Sequence, residues 1–97
     1  MYQDQYCIIR SDRSGVFFGK VKTEQHHPHG KTVILDECRR VHYWKGAASL
    51  SQMANSGISS GRISMGTNNH EINGVIETIP CSEDAIQNLK NQPIWKV

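Results

Sequence analysis

Short apolar runs separated by polar, turn-forming stretches mark a succession of strands along this chain. Tyr6-Cys7-Ile8-Ile9-Arg10 reads as a first strand and Val16-Phe17-Phe18-Gly19-Lys20-Val21-Lys22 as a second. Between them, Ser11-Asp12-Arg13-Ser14-Gly15 is rich in residues that bend the backbone or bond to it locally, which predicts a β-hairpin. The polar stretch from Thr23 to Gly30 predicts a loop. Thr32 to Asp36 returns as a third strand. Arg40-Val41-His42-Tyr43-Trp44 follows as a fourth, with the β-branched and aromatic residues that strands favour.

The pattern then changes. From Ala47 to Asn55 the residues Leu50, Met53 and Ala54 fall on one stripe, which predicts a helix at about residues 48–56 beginning near Ala48 or Ser49, with Gly57 as its C-cap. Ile58 to Gly61 reads as a linker, Arg62 to Gly66 as a short edge strand and Thr67 to His70 as a turn. Ile72 through Ile79 predicts a further strand with Gly74 at a bulge. Ser82 is placed to cap a second helix at about residues 83–91, with Glu83 and Asp84 favouring its dipole and Ile86 and Leu89 on its buried face. The expectation is one domain over residues 1–97, of class α+β: a small, mainly antiparallel β-sheet with two short helices.

Composition refines this picture. The chain has 97 residues, only 37% of them apolar, and a mean hydropathy of −0.53, so its core is modest. A small core with aromatics to spare predicts a homo-oligomer, dimer or tetramer, whose copies complete each other's burial. The net charge of +2 is weak, and the cations are local, at Lys20, Lys22, Lys31, Arg39, Arg40 and Lys45. That argues against duplex nucleic acid and for a small anion. No apolar run approaches the roughly 20 residues that span a membrane, and Met1 to Gln5 lacks the features of a signal peptide. Cys7, Cys38 and Cys81 are odd in number and each sits beside apolar residues, which points to buried thiols in a reducing cytoplasm.

Catalytic and metal patterns are thin. His26, His27 and His29 lie close together, but the Pro28 and Gly30 setting reads as an exposed hairpin tip, and a metal site needs three or four ligands in fixed geometry. No nucleophile elbow surrounds Ser49 or Ser51, no carboxylate pair has acid–base spacing, and Gly30-Lys31-Thr32 is only the tail of a phosphate loop. The expectation is a binding protein rather than an enzyme, without cofactor or metal.

Recognition chemistry is concentrated from Arg39 to Gln52. Arg39 or Arg40 suits bidentate contact with phosphate, and Lys45 adds a point charge. Tyr43 and Trp44 suit stacking on a base. Gly46, Ala47 and Ala48, leading to Ser49, leave main-chain N–H groups open at a helix start. Strand alternation puts Arg40, His42 and Trp44 on one wall and Val41 and Tyr43 on the other. The plainer alternative is that the aromatics fill the core while the arginines pair with Asp36 and Glu37. Phe17 and Phe18 alternate too, so one is expected in the core and the other, Phe17 being the candidate, at a ligand or interface. Trp95 is expected as a lid on the core or an oligomer contact.

Cys7-Ile8-Ile9-Arg10 with Ser14 to Gly19, Arg39 to Gln52, Ile76-Glu77-Thr78-Ile79-Pro80-Cys81-Ser82-Glu83 and the closing Trp95-Lys96 resemble a family of small tailed-phage proteins. The resemblance is to the anti-CBASS nucleotide sponges, which oligomerise and bind cyclic oligonucleotide immune signals without cleaving them. It implies a phage immune-evasion protein in the host bacterial cytoplasm that sequesters a cyclic dinucleotide or trinucleotide. The ligand-binding candidates, taken from the chemistry of the segment, are Arg39, Arg40, His42, Trp44, Lys45, Gly46, Ala47, Ser49 and Phe17. Rival expectations are a phage inhibitor that docks on a host protein through exposed aromatics, and a small single-stranded nucleic-acid-binding protein.

Overall fold

Two adjacent apolar pairs, Ile8-Ile9 and Phe17-Phe18, dictate the architecture. Neighbouring side chains of a strand leave on opposite sides, yet all four are at most 1% exposed. Such strands need cover on both faces. The computed structural model describes residues 1–97 and orders the elements as β1 (Tyr6–Ser11), β2 (Gly15–His27), β3 (Gly30–Lys45), α1 (Leu50–Ser56), β4 (Ser60–Ile63), β5 (His70–Pro80) and α2 (Glu83–Lys90). The sheet is antiparallel in the order β2-β1-β5-β3-β4. Pairing of β2 with β3 closes four of these strands into a small barrel, with β4 attached outside it on β3. The class is α+β, as the pattern predicts.

The barrel interior holds Cys7, Ile9, Phe17, Val21, Val33, Leu35, Cys38, Ile72 and Val75. A second core lies on the outer face, where Ile8, Phe18 and Val41 meet Met53 and Ala54 of α1, Ile58, Ile63 and Leu89 of α2. Each large side chain buried in this way contributes about 1.5–3 kcal/mol. Both phenylalanines are therefore framework, and the expectation that one would be free fails because the strand is covered twice.

Bulges bend the strands enough to close the barrel. Glu37 and Cys38 of β3 together face Gly19 of β2, and Glu37 adopts φ 52°. A Cβ on Gly19 would lie 3.1 Å from both the Asp36 carbonyl and the Cys38 Cα, so the bulge needs a glycine there. This bulge joins the predicted third and fourth strands into one continuous β3. Gly74, at φ 65°, sits in the bulge expected of it.

The predicted loop from Thr23 to Gly30 is instead the solvated end of the β2–β3 hairpin, with only Pro28 and His29 between the strands. Both its faces are polar, so it carries no period-two signal. Helix α1 is shorter than predicted and is preceded by Ser49, whose hydroxyl accepts from the Gln52 N–H at 3.1 Å. Gly57 caps its end as expected. Ser82 caps α2 and also donates to the Asn55 carbonyl at 2.6 Å, which locks the two helices together. Ile58, predicted within a linker, is buried and clamped by the Asn88 amide, which accepts from its N–H and donates to its carbonyl. No helix is long and apolar enough to cross a membrane.

The three cysteines are free thiols. Burial pushes Cys7 up to about 11 and Cys38 and Cys81 up to about 12. At the hairpin base, the Glu24 carboxylate is 6% exposed and pairs with Lys31 at 2.9 Å. Burial opposes its charge, but hydrogen bonds from the Met1 amine, the Tyr2 N–H and Lys31 outweigh that and hold its pKa at about 2 against an ordinary 4.5. A carboxyl depressed in this way stabilises the fold above its unfolded pKa, and the contribution disappears as pH falls from 4.5 toward 2. Urea unfolding midpoints measured across that window should therefore fall with pH, and Glu24→Gln should flatten the acid arm.

Candidate functional site

Arg39 is a structural cation. Its guanidinium is 7% exposed and donates to the carbonyls of Ser64 at 2.8 Å and Leu89 at 2.7 Å, with longer bonds to Lys90 and Pro93. No carboxylate pairs with it, since both ion pairs in the protein belong to Glu24. The unpaired carbonyls ending α2 carry the compensating negative charge, and burial pulls the Arg39 pKa below its usual value. Neither phosphate binding nor the alternative pairing with Asp36 and Glu37 describes it.

The wall expected from Arg40, His42 and Trp44 is divided. Between Val41, opposite Ile63, and Tyr43, opposite Arg62, His42 is an extra residue that breaks the alternation. Arg40 turns toward the barrel, its guanidinium 4.8 Å from the Phe17 ring centre and its buried Nε without a partner. Trp44 turns to the helix side with Val41 and packs on the outer core, its indole N–H donating to the Ala47 carbonyl at 3.2 Å. His42 and Tyr43 remain exposed on the far face.

The turn into α1 is also committed. Gly46 has φ 94°, and a Cβ there would lie 2.6 Å from the Ser59 nitrogen, so Gly46 serves the close crossing of two chains. The Lys45 carbonyl accepts from the Ser59 N–H at 2.8 Å, while the Lys45 side chain is exposed. Ser49 caps Gln52, and the Gln52 side chain returns to the Ala48 N–H at 2.8 Å. These two bonds leave the N–H groups of Gln52 and Ala48 engaged. Of the N–H groups expected to be open at Gly46, Ala47 and Ala48, that of Ala48 is taken by the Gln52 side chain.

Three surfaces remain. The largest cleft, about 650 Å³, is lined by Glu37, Arg39, Asn68, Lys90 and Gln92 among others. Its polar groups largely satisfy one another: Tyr6 donates to Glu37 at 2.5 Å, Asn68 accepts from the Glu37 N–H, and Gln92 bonds to Ile58 and Asn88. Tyr6, whose ring centre lies 4.3 Å from the Lys90 ammonium, holds the Lys90 pKa above its usual value. The second surface is the far face of β3 and β4, where Arg62 lies 5.8 Å from the Tyr43 ring centre and 5.5 Å from that of Trp95, and His42 packs on Trp95.

The third is a groove of about 420 Å³ on the helix side, lined by Arg10, Val16, Trp44, Ser49, Leu50, Ser51 and Glu77. Here two residues of the Arg39–Gln52 segment, Trp44 and Ser49, meet charges from β1 and β5. Arg10 and Glu77 are direct cross-strand partners, yet no ion pair joins them. His26, His27 and His29 stand apart at the hairpin tip, where His27 bonds to Thr32 at 3.0 Å. No group of three or more His, Cys, Asp or Glu side chains is arranged to hold a metal ion.

The chain belongs to the DUF6948 family, a domain of unknown function whose model matches residues 4–89. No curated protein and no solved structure matches it. All seven residues of the groove lie within the DUF6948 span, whereas Trp95, the anchor of the far face, lies beyond it.

Arg10 and Glu77 escaped the sequence reading because their partnership is made by the non-local pairing of β1 with β5. The available signal was a charge interrupting an apolar strand, as Glu77 does in Ile76-Glu77-Thr78-Ile79. Arg62 was hidden in the same way, within a short edge strand. Framework and free arginines should separate in unfolding experiments. Arg39→Ala should cost roughly 2–3 kcal/mol by stranding carbonyl groups at the end of α2. Arg10→Ala, at an exposed position, should stay within about 0.5 kcal/mol of the parent in urea unfolding.

Proposed function

We propose that this protein binds a cyclic dinucleotide or trinucleotide in the Trp44 groove and holds it without cleaving it. The observation that carries the reading is the groove itself: an indole, an unpaired guanidinium and hydroxyl groups in one concavity of about 420 Å³. Concave sites with apolar walls and a few convergent polar groups are the usual form of small-molecule sites. A base resting on Trp44 gains stacking energy of about 1–3 kcal/mol, the range for comparable single-stranded contacts. Arg10 is the cation of the groove and brings it a charged hydrogen-bond donor.

Size supports a shared ligand. A groove of this volume takes one base with its sugar, so a cyclic dinucleotide engages two copies of the chain about its own two-fold axis. By the resemblance of its central segment, the protein acts for a phage in the host cytoplasm, where it keeps a defence signal from its effector. Sequestration requires slow release rather than turnover.

A second reading is favoured by the far face. Tyr43 and Trp95 are each about half exposed beside Arg62, and aromatic residues with arginine are common anchors of protein interfaces. On this reading the protein docks on a host protein.

Calorimetry with a panel of cyclic dinucleotides and trinucleotides separates the two. The expected result is tight binding at about one dinucleotide per two chains, with intact ligand recovered after heat denaturation. Trp44→Phe should weaken binding, and Trp95→Ala should leave it unchanged. Linear products would make the protein a nuclease. A steep loss of affinity with salt, together with binding to linear oligonucleotides, would make it a single-stranded nucleic-acid binder. Failure of every nucleotide would remove the first reading in favour of the second.

A further inference from the structure

We propose that the groove is selective for guanine, with Glu77 and Arg10 reading the edge of the base. The inference rests on the nucleotide-binding reading above and adds which base is taken. Its starting point is the state of the two charges. Arg10 and Glu77 face each other across an antiparallel pair, where side chains begin about 4.5–5.5 Å apart and opposite charges normally meet. Here they do not pair within 4 Å, and both are exposed at the groove. Carboxylate and guanidinium thus stand side by side with their hydrogen-bonding capacity free.

One common base presents the complementary edge. Guanine carries adjacent donors at N1–H and the exocyclic N2–H, which match the two oxygens of a carboxylate. Beside them it carries acceptors at O6 and N7, which match the fork of an arginine. Adenine places an acceptor, N1, where the carboxylate needs a donor, so Glu77 repels it. The pyrimidines are smaller and leave the space between Val16, Leu50 and Trp44 underfilled. The indole wall is fixed in advance, because the Trp44 N–H is held by the Ala47 carbonyl, and a prearranged wall reduces the ordering cost of binding. Ser49 is engaged as the α1 cap, which leaves Ser51 for the ribose.

The test compares cyclic di-GMP with cyclic di-AMP by calorimetry, on the parent protein and on Glu77→Gln. Cyclic di-GMP is expected to bind at least about tenfold more tightly, as a good bidentate contact confers. In Glu77→Gln the preference should fall to near unity with the thermal unfolding midpoint unchanged, since Glu77 is exposed. Equal or tighter binding of cyclic di-AMP would overturn guanine selectivity while leaving nucleotide binding intact. A guanine preference that survives in Glu77→Gln would overturn the role given to Glu77. Absence of binding by both ligands and by every other cyclic nucleotide would overturn the nucleotide reading together with this one.

Discussion

Glu37 and Cys38 occupy the space opposite the single residue Gly19, and the course of β3 follows from that crowding. In a strand, one extra residue exchanges the two faces for everything after it. Leu35 points into the barrel, and simple alternation would send Glu37 and Arg39 after it. The bulge sends Cys38 inward instead and turns Arg39 outward to the end of α2. The shift thereby gives the inward place to Arg40, whose guanidinium lies over the Phe17 ring. The extra residue at His42 exchanges the faces again, which is how Val41 and Trp44 come to share the helix side.

Partnership and burial together separate framework charges from unpaired ones. Arg39 is fully occupied by main-chain carbonyls, and Glu24 by Lys31 and two main-chain nitrogens. Arg10 and Glu77 have each other close by and remain unpaired. Two arginines in the same small fold therefore differ: one holds α2 to the sheet, and the other is left without an ion pair at the groove. The family match over residues 4–89 takes in both.

Local signals in the sequence were reliable. Ser82 and Gly57 cap helices as expected, Gly74 lies in a bulge, and the strands around Ile8, Phe18 and Ile79 form where the apolar runs place them. The failures share a physical cause, namely that the deciding contact is distant in sequence. The Glu37 bulge depends on Gly19 across the sheet, and the solvated hairpin arm has no apolar period to display. The segment from Arg39 to Gln52 contributes Trp44 and Ser49 to the groove. Its alternation was misread because His42 is invisible as a bulge until β4 is paired. The groove's charges come from β1 and β5, and closure of the barrel is what brings them to Trp44.

The raised thiols have a consequence for how the protein can be observed. With Cys7, Cys38 and Cys81 at about 11 to 12, almost none of each is thiolate at neutral pH, and only the thiolate attacks an alkylating reagent. Modification of the buried Cys7 and Cys38 must wait for the surrounding structure to open and return their sulfurs to water, whereas Cys81 is only half-buried. Cys7 and Cys38 lie inside the barrel and Cys81 packs against the outer core. The chain thus carries built-in clocks for the opening of its barrel, read by the rate at which Cys7 and Cys38 acquire label.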